Sequence, residues 1–187
     1  MLKLYGGARS RASIVQWYLE ELGIDYEFVF LDMQGGEHLQ PEYLGINPMG
    51  KVPGIVDGDF KLWESGAILI YLSQKYGRAS RSVTEEAEIC QWVLFANATL
   101  GPGLFVESSR DREARRLLSP LDEILGQHSY MIGDRFGVAD VAVGSMLIYA
   151  SLMLNFDFNE YPALKDYLQR IGDRPAFKKT IGARSHS

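Results

Sequence analysis

Apolar residues come in short dense blocks near the start of the chain and recur every three or four positions later on. The change of period divides the sequence. Residues 2 to 5, LKLY, read as a short buried strand, and the Gly6-Gly7 pair ends it in a turn. From Ile14 through Val15, Tyr18, Leu19 and Leu22 the spacing predicts a helix, with Gly23 where a C-terminal cap belongs. Residues 26 to 31, YEFVFL, are aromatic and β-branched and predict a second strand, parallel to the first because a crossover helix lies between them. A polar, glycine-containing stretch leads from there to VPGIV, an Asp57-Gly58-Asp59 turn and FKLW, a β-hairpin. The resulting sheet is mixed. Ser65 opens another helical pattern through Ile68, Leu69 and Leu72, which stops at Gly77.

Beyond that point only helical spacing is found. The segment RASRSVTEE reads as a linker, and helices are predicted over 84–100, 110–126, 138–154 and 162–171. Breaks are expected at Gly101-Pro102-Gly103, around Gly133 and before Pro162. A β-rich first half and an all-helical second half imply two domains, 1–77 and 85–187, joined by a linker at 78–84.

Composition narrows the function. With 187 residues, 47% of them hydrophobic, the chain can bury a substantial core, so disorder is not the leading reading. A formal net charge of −5 with acids and bases interspersed gives no basic field suited to DNA or RNA. No run of about 18 apolar residues is present, and the start MLKLYGGARSR lacks the order of a secretion signal, so a cytoplasmic location is expected. The single cysteine, Cys90, has no internal partner, and no spaced His/Cys cluster suggests a metal.

Three local signatures, LEELGIDYE at 19–27, PEYLGINPMGKVP at 41–53 with its hairpin, and LWESGAILIYLSQKYG at 62–77, occur in an order that resembles the glutathione transferase superfamily across essentially the whole chain. A fourth, GDRFGVADVAVGSML at 133–147, is similar to the family's C-terminal capping segment, with Asp140 as the buried capping aspartate and Gly137 where a serine or threonine is usual. The short C-terminal half and the wording YGGARSRASIVQWYLEELG are similar to compact bacterial, cyanobacterial-type (chi-class) members. The resemblance implies an α/β thioredoxin-like N-terminal domain, βαβ-ββα with a mixed four-stranded sheet, and an all-α C-terminal bundle contributing the electrophile site. It also implies glutathione as co-substrate, conjugation to small hydrophobic electrophiles such as isothiocyanates, and a homodimer.

Glutathione offers two carboxylates, an ammonium, a peptide-like middle and a thiol that must ionise. The Glu64-Ser65 pair at a helix start suits the γ-glutamyl end: the helix N-terminus and serine hydroxyl favour the carboxylate, and Glu64 supplies charge for the ammonium. The same pair also reads as an ordinary N-cap with a dipole-complementing acid. By resemblance, a cis peptide between Val52 and Pro53 turns the Val52 backbone toward the cysteinyl part, and Lys51 and His38 face the glycyl carboxylate; both basic residues read equally as solvated surface groups. Gln34 and Asn47 are weaker polar candidates, and Asn47 before Pro48 also reads as the start of a turn.

Ionising a thiol whose ordinary pKa is about 8.5 needs a nearby donor or cation, and the first loop must provide it. Counting back from Leu19 puts the theta-type serine position on Arg9 and the beta-class cysteine position near Arg11, with Ser10 between. Tyr5 on the first strand corresponds to the tyrosine of the alpha, mu and pi classes. A guanidinium stabilises a thiolate by charge and hydrogen bonding, and a hydroxyl donates to it, so Ser10, Arg9, Arg11 and Tyr5 all stand as candidates. The bland alternative is a Ser10 that caps the first helix and arginines that are exposed. The loop holds no cysteine, which disfavours chemistry through a protein mixed disulfide and leaves conjugation, with peroxide reduction, isomerisation or a silent interaction module as alternatives. Trp92, Phe95, Ala96, Asn97 and Phe105 are possible electrophile contacts, though aromatics at helical spacing are more often core, and Arg112, Arg115 and Arg116 read as a solvated face.

Overall fold

The computed structural model of the chain describes residues 1–77 and 81–183. Among them, 1–77 with 179–181 form one compact unit and 81–178 with 182–183 a second. The linker expected at 78–84 lies partly outside the described residues, and its last two positions are already helical.

The first unit contains strands β1 (Leu2–Gly6), β2 (Tyr26–Phe30), β3 (Gly54–Asp57) and β4 (Phe60–Trp63), and helices α1 (Ala12–Leu22), α2 (Pro41–Leu44) and α3 (Ser65–Tyr76). The sheet runs β2-β1-β3-β4; β1 pairs parallel with β2, Leu4 opposite Phe28, and antiparallel with β3, Tyr5 opposite Gly54. This is the mixed four-stranded sheet with helical crossover that the hydrophobic pattern predicts. On β1, Leu2 and Leu4 are buried while Lys3 and Tyr5 are not fully so, the alternation of a strand. Gly6 ends it under a tight constraint: a Cβ there would lie 2.4 Å from the Ala12 Cβ and 2.9 Å from the Phe28 ring. Only glycine lets α1 start so close to the strand.

Helix α1 turns Ile14, Val15, Trp17 and Leu19 fully inward, each aliphatic contributing about 1.5–3 kcal/mol relative to exposure. It stops at Gly23, whose left-handed φ of 66° lets Ile24 N–H reach the Leu19 carbonyl. Helix α3 buries Ile68, Leu69 and Leu72 and packs against α1. Its far end is tied to the hairpin by Asp57, whose Oδ2 accepts Tyr71 (3.0 Å), Lys75 (2.7 Å) and Tyr76 (2.8 Å). Burial would raise that carboxyl, but the hydrogen bonds from Lys75, Tyr76 and Tyr71 outweigh it and hold Asp57 below the usual carboxylate range. The polar stretch after β2 is not featureless: it carries a 3-10 turn at Glu37–Leu39 and then α2, opened by Pro41 at its first position.

The second unit is helical: α4 (Val83–Leu94), α5 (Gly101–Phe105), α6 (Arg110–Gln127), α7 (Val138–Leu154), α8 (Pro162–Gly172) and the short α9 (Pro175–Lys179), whose last residue groups with the first unit. Ser82 opens α4 with a reciprocal cap, accepting the Glu85 N–H at 3.2 Å while Glu85 accepts the Ser82 N–H at 2.7 Å. The expected break at Gly101-Pro102-Gly103 is absent. A π-helical stretch over Phe95–Leu100 connects α4 to α5 without interruption. Pro102 has no N–H to give and its ring crowds the preceding turn, and widening that turn accommodates both defects. Asn97 Nδ2 then donates to the Val93 carbonyl at 3.0 Å, inside the same turn. Arg112, Arg115 and Arg116 lie on the exposed side of α6, with Glu113 between two of them at 3.1 and 2.6 Å.

Helix α7 is the centre of this unit, buried from Val138 to Ile148. Its N-terminus is held by Asp140, which is 1% exposed. Oδ1 accepts Met131 N–H (2.9 Å) and the Tyr167 hydroxyl (3.1 Å), and Oδ2 accepts Gly137 N–H (2.8 Å). Burial pushes the carboxyl up to about 6, and the donors from Met131, Gly137 and Tyr167 pull against that rise. The reciprocal cap that a serine at 137 would give is missing, so one carboxylate carries the junction. Asp140→Ala leaves the Met131 and Gly137 N–H groups without an acceptor and the Tyr167 hydroxyl with only the Asp140 backbone carbonyl at 3.3 Å. It is expected to cost about 3–5 kcal/mol, read as a fall in thermal unfolding temperature, and a loss under about 1 kcal/mol would contradict the anchoring role.

Candidate functional site

Three separated pieces of the first unit meet at one cavity of about 300 Å³, lined by Arg11, Asn47, Lys51, Val52, Pro53, Glu64 and Ser65. Arg11 comes from the β1–α1 loop, Asn47 through Pro53 from the connection that enters β3, and Glu64-Ser65 from the start of α3. The charged members, Arg11, Lys51 and Glu64, are exposed at the rim, while Asn47, Pro53 and Ser65 are buried beneath. The Val52–Pro53 peptide is cis.

Glu64 stands at φ 70° and ψ 117°, immediately before α3. A side chain in that region costs about 1–3 kcal/mol unless the surroundings fix it. Behind it Ile68 N–H bonds the Glu64 carbonyl at 2.9 Å, so the helix begins at once and its positive end opens on the cavity. Ser65 sits on the first turn with 4% exposure.

The four residues considered for thiol activation are placed differently. Arg11 lines the cavity. Ser10 braces the loop: its hydroxyl donates to the Gly7 carbonyl at 2.8 Å and accepts Gly7 N–H at 3.2 Å and Ala12 N–H at 3.4 Å. Arg9 is exposed and holds a left-handed φ of 51°, outside the lining. Tyr5 turns its ring to Tyr43, 5.7 Å between centroids, and does not line the cavity either.

Of the other sequence candidates, Lys51, Val52, Pro53, Glu64, Ser65 and Asn47 converge here, and His38 and Gln34 do not line the cavity. His38 lies on the 3-10 turn with a buried Nδ1 that makes no hydrogen bond to any described residue. Asn47 is not free to serve a ligand with its whole amide, because Nδ2 donates to the Lys51 carbonyl at 2.6 Å and Oδ1 accepts Met49 N–H at 3.0 Å. Tyr43 escaped the sequence reading: it donates to the same carbonyl at 2.6 Å from outside the cavity. Its only sequence signal is an aromatic residue inside PEYLGINPMGKVP. Among the described residues no group of three or more His, Cys, Asp or Glu side chains could hold a metal ion, and no helix is long and apolar enough to cross a membrane.

Comparison with known proteins gives this geometry a lineage. The model of the glutathione S-transferase N-terminal domain matches residues 1–74, and that of the C-terminal domain matches 108–170. Glutathione S-transferase 3 of Zea mays is 30% identical, over 97% of this chain and 94% of its own. The chain belongs to the glutathione S-transferase family. Disulfide-bond oxidoreductase YfcG of Escherichia coli (strain K12) is also 30% identical, over 94% of this chain and 92% of its own. The glutathione transferase URE2P6 of Phanerochaete chrysosporium, solved in complex with oxidized glutathione, superposes with a TM-score of 0.85 at 28% identity, covering 99% of this chain and 96% of that one. A glutathione transferase family member from Pseudomonas fluorescens pf-5, solved with two glutathione bound, gives a TM-score of 0.84 at 30% identity, covering 95% and 91%.

In this member of the family the Ser10 hydroxyl ties the first loop together, beside a Ser13 hydroxyl that donates to the Ser10 carbonyl at 2.9 Å. Ser10→Ala removes a donor and orphans two N–H groups, and thermal unfolding should show a loss of about 1–2 kcal/mol. An unchanged melting temperature would mean that the loop is braced by something else.

Proposed function

We propose that the cavity binds glutathione and that the protein conjugates its thiolate to small hydrophobic electrophiles. The observation that carries this reading is the charge pattern of the lining. Two cations, Arg11 and Lys51, and one anion, Glu64, surround it; with the positive N-terminus of α3 they make three positive centres and one negative, the inverse of a ligand whose reactive form carries two carboxylates, a thiolate and one ammonium. Ser65 and the N-terminus of α3 take the γ-glutamyl carboxylate, Glu64 the ammonium, the Val52 backbone the cysteinyl peptide and Lys51 the glycyl carboxylate. His38, on the 3-10 turn outside the lining, takes no direct contact in this scheme.

Arg11 is the thiolate stabiliser of this scheme. Its guanidinium cannot accept a proton, so the thiol proton leaves to solvent and the cation holds the sulfur as its anion. The thiolate then forms a C–S bond to the electrophilic carbon, and a leaving group departs or a double bond is added across. Ser10 contributes through the loop it braces, and Arg9 and Tyr5 have no direct role. The wording of the first loop and helix supports a chi-class assignment with isothiocyanates as substrates, and membership of the family supports a homodimer in the cytoplasm.

A second reading is favoured by the similarity to YfcG and to the structure with two glutathione bound. The same thiolate attacks a disulfide, one thiol leaves, and a second glutathione resolves the mixed disulfide to oxidized glutathione. With Cys90 as the only cysteine of the chain and outside the cavity, the electrons come from glutathione in both steps. Assays with 1-chloro-2,4-dinitrobenzene, benzyl isothiocyanate and 2-hydroxyethyl disulfide separate the two: conjugation first order in glutathione supports transfer, and disulfide turnover alone replaces it with the second reading.

The activator is tested by the ultraviolet band of bound thiolate against pH. Wild type is expected to show it well below the free thiol's titration. Arg11→Ala should raise the midpoint by about one pH unit, and Arg9→Ala should leave it in place. An Arg11→Ala midpoint equal to wild type would remove Arg11 from the mechanism.

A further inference from the structure

The Lys51 carbonyl is held by two donors at once. Tyr43 Oη and Asn47 Nδ2 each reach it at 2.6 Å. Both residues are 2% exposed, so water does not compete for the acceptor. The donors are themselves tied together, Asn47 N–H bonding the Tyr43 carbonyl at 2.9 Å, and the Asn47 amide is oriented by Met49 N–H on its oxygen. Burial pushes the Tyr43 hydroxyl up to about 12, so it stays a donor throughout the neutral range.

Gly54 makes room for this arrangement. A Cβ there would stand 2.9 Å from the Tyr43 hydroxyl oxygen and 3.4 Å from Ile46 Cγ2. The glycine after Pro53 therefore serves the approach of a side chain rather than a turn.

The consequence lies one peptide on. Between Lys51 and Val52 the peptide is planar and trans, the cis bond being the next one, so the Val52 N–H points opposite to the Lys51 carbonyl. A carbonyl drawn onto Tyr43 and Asn47 turns that N–H away from them. Val52 lines the cavity.

We propose that Tyr43 and Asn47 are positioning residues, a clamp on the Lys51 carbonyl that aims the Val52 N–H at the cysteinyl peptide of glutathione, with Gly54 as the space that admits it. This rests on glutathione binding in the cavity and goes beyond it by assigning two residues and a glycine to the orientation of one backbone donor. Tyr43 touches neither substrate nor the reacting atoms in this scheme.

The test is calorimetric titration of the full chain with reduced glutathione, together with steady-state kinetics. Tyr43→Phe keeps the ring and removes the donor; Kd for glutathione should rise about five- to tenfold, about 1–1.4 kcal/mol. KM for glutathione should rise with it, and kcat at saturating glutathione should change less than about twofold. A purely structural hydroxyl would lower the melting temperature and leave Kd and KM where they were, and that result overturns the clamp.

Gly54→Ala supplies an independent arm, and it replaces Tyr43→Phe if that variant does not fold. Its methyl pushes on the Tyr43 oxygen and should weaken glutathione by a similar factor. In the double variant the oxygen is gone, so Gly54→Ala should add little to Tyr43→Phe; full multiplication of the two factors also overturns the proposal. Wild type that fails to bind glutathione at millimolar concentration sinks the reading of the site itself, whereas wild-type binding with an unmoved Tyr43→Phe sinks only the clamp.

Discussion

A single carbonyl oxygen, that of Lys51, decides the shape of the cavity. The chain from Ile46 to Pro53 is neither helix nor strand, so no ladder of backbone hydrogen bonds fixes it, and a segment of that kind ordinarily moves. Here two buried side-chain donors replace the ladder. Both come from the N-terminal side of the Lys51 carbonyl, Tyr43 from α2 and Asn47 from the segment itself four residues later. The tyrosine ring then reaches Tyr5 on β1. A loop that lines the cavity is thereby joined to the strand at the centre of the sheet.

The charges at the rim are arranged against the average of the molecule. The chain as a whole is acidic at −5, yet the lining has two cations and one anion. All three are exposed, so each would act on a bound charge through a high effective dielectric and contribute modestly alone. Direction has to come from buried, neutral groups: Ser65, the Val52 backbone and the first turn of α3. The left-handed backbone at Glu64 belongs to this division of labour, because it starts a helix abruptly where its positive end can face the ligand. The strain is local, and the apolar face of α3 packed on α1 holds it in place.

The order of elements in the first unit was legible because each boundary has its own chemical signal: a glycine pair after β1, Gly23 after α1, Asp57-Gly58-Asp59 between β3 and β4. The cavity residues after position 46 were legible for the same reason, since they stand at boundaries. The first loop was not. Counting places Arg9, Ser10 and Arg11 within two residues of one another, but their side chains diverge through a left-handed φ at Arg9 that spacing does not encode. A serine hydroxyl also looks the same in sequence whether its proton goes to a ligand or to the Gly7 carbonyl. In the helical unit Gly101-Pro102-Gly103 carries every mark of a helix end. A π turn upstream overrides it, because buried residues on both sides, Ala96, Leu100 and Leu104, hold the helix continuous.

Tyr43 was missed for a reason that bears on reading such sites generally. Nothing about a tyrosine on a short helix marks it as polar in effect, since the residue is 2% exposed and its ring lies against that of Tyr5. Its hydroxyl matters only because a glycine eleven residues later leaves an opening. The pair is a complement of shape: an oxygen on one element fills the space of a missing methyl on another, and the carbonyl between them is fixed as a result. A valine or alanine at 54 would pack better against the sheet by itself. Glycine there sacrifices that packing to let a donor through, which ties a residue that never meets the ligand to the direction of a backbone N–H that lies at the cavity.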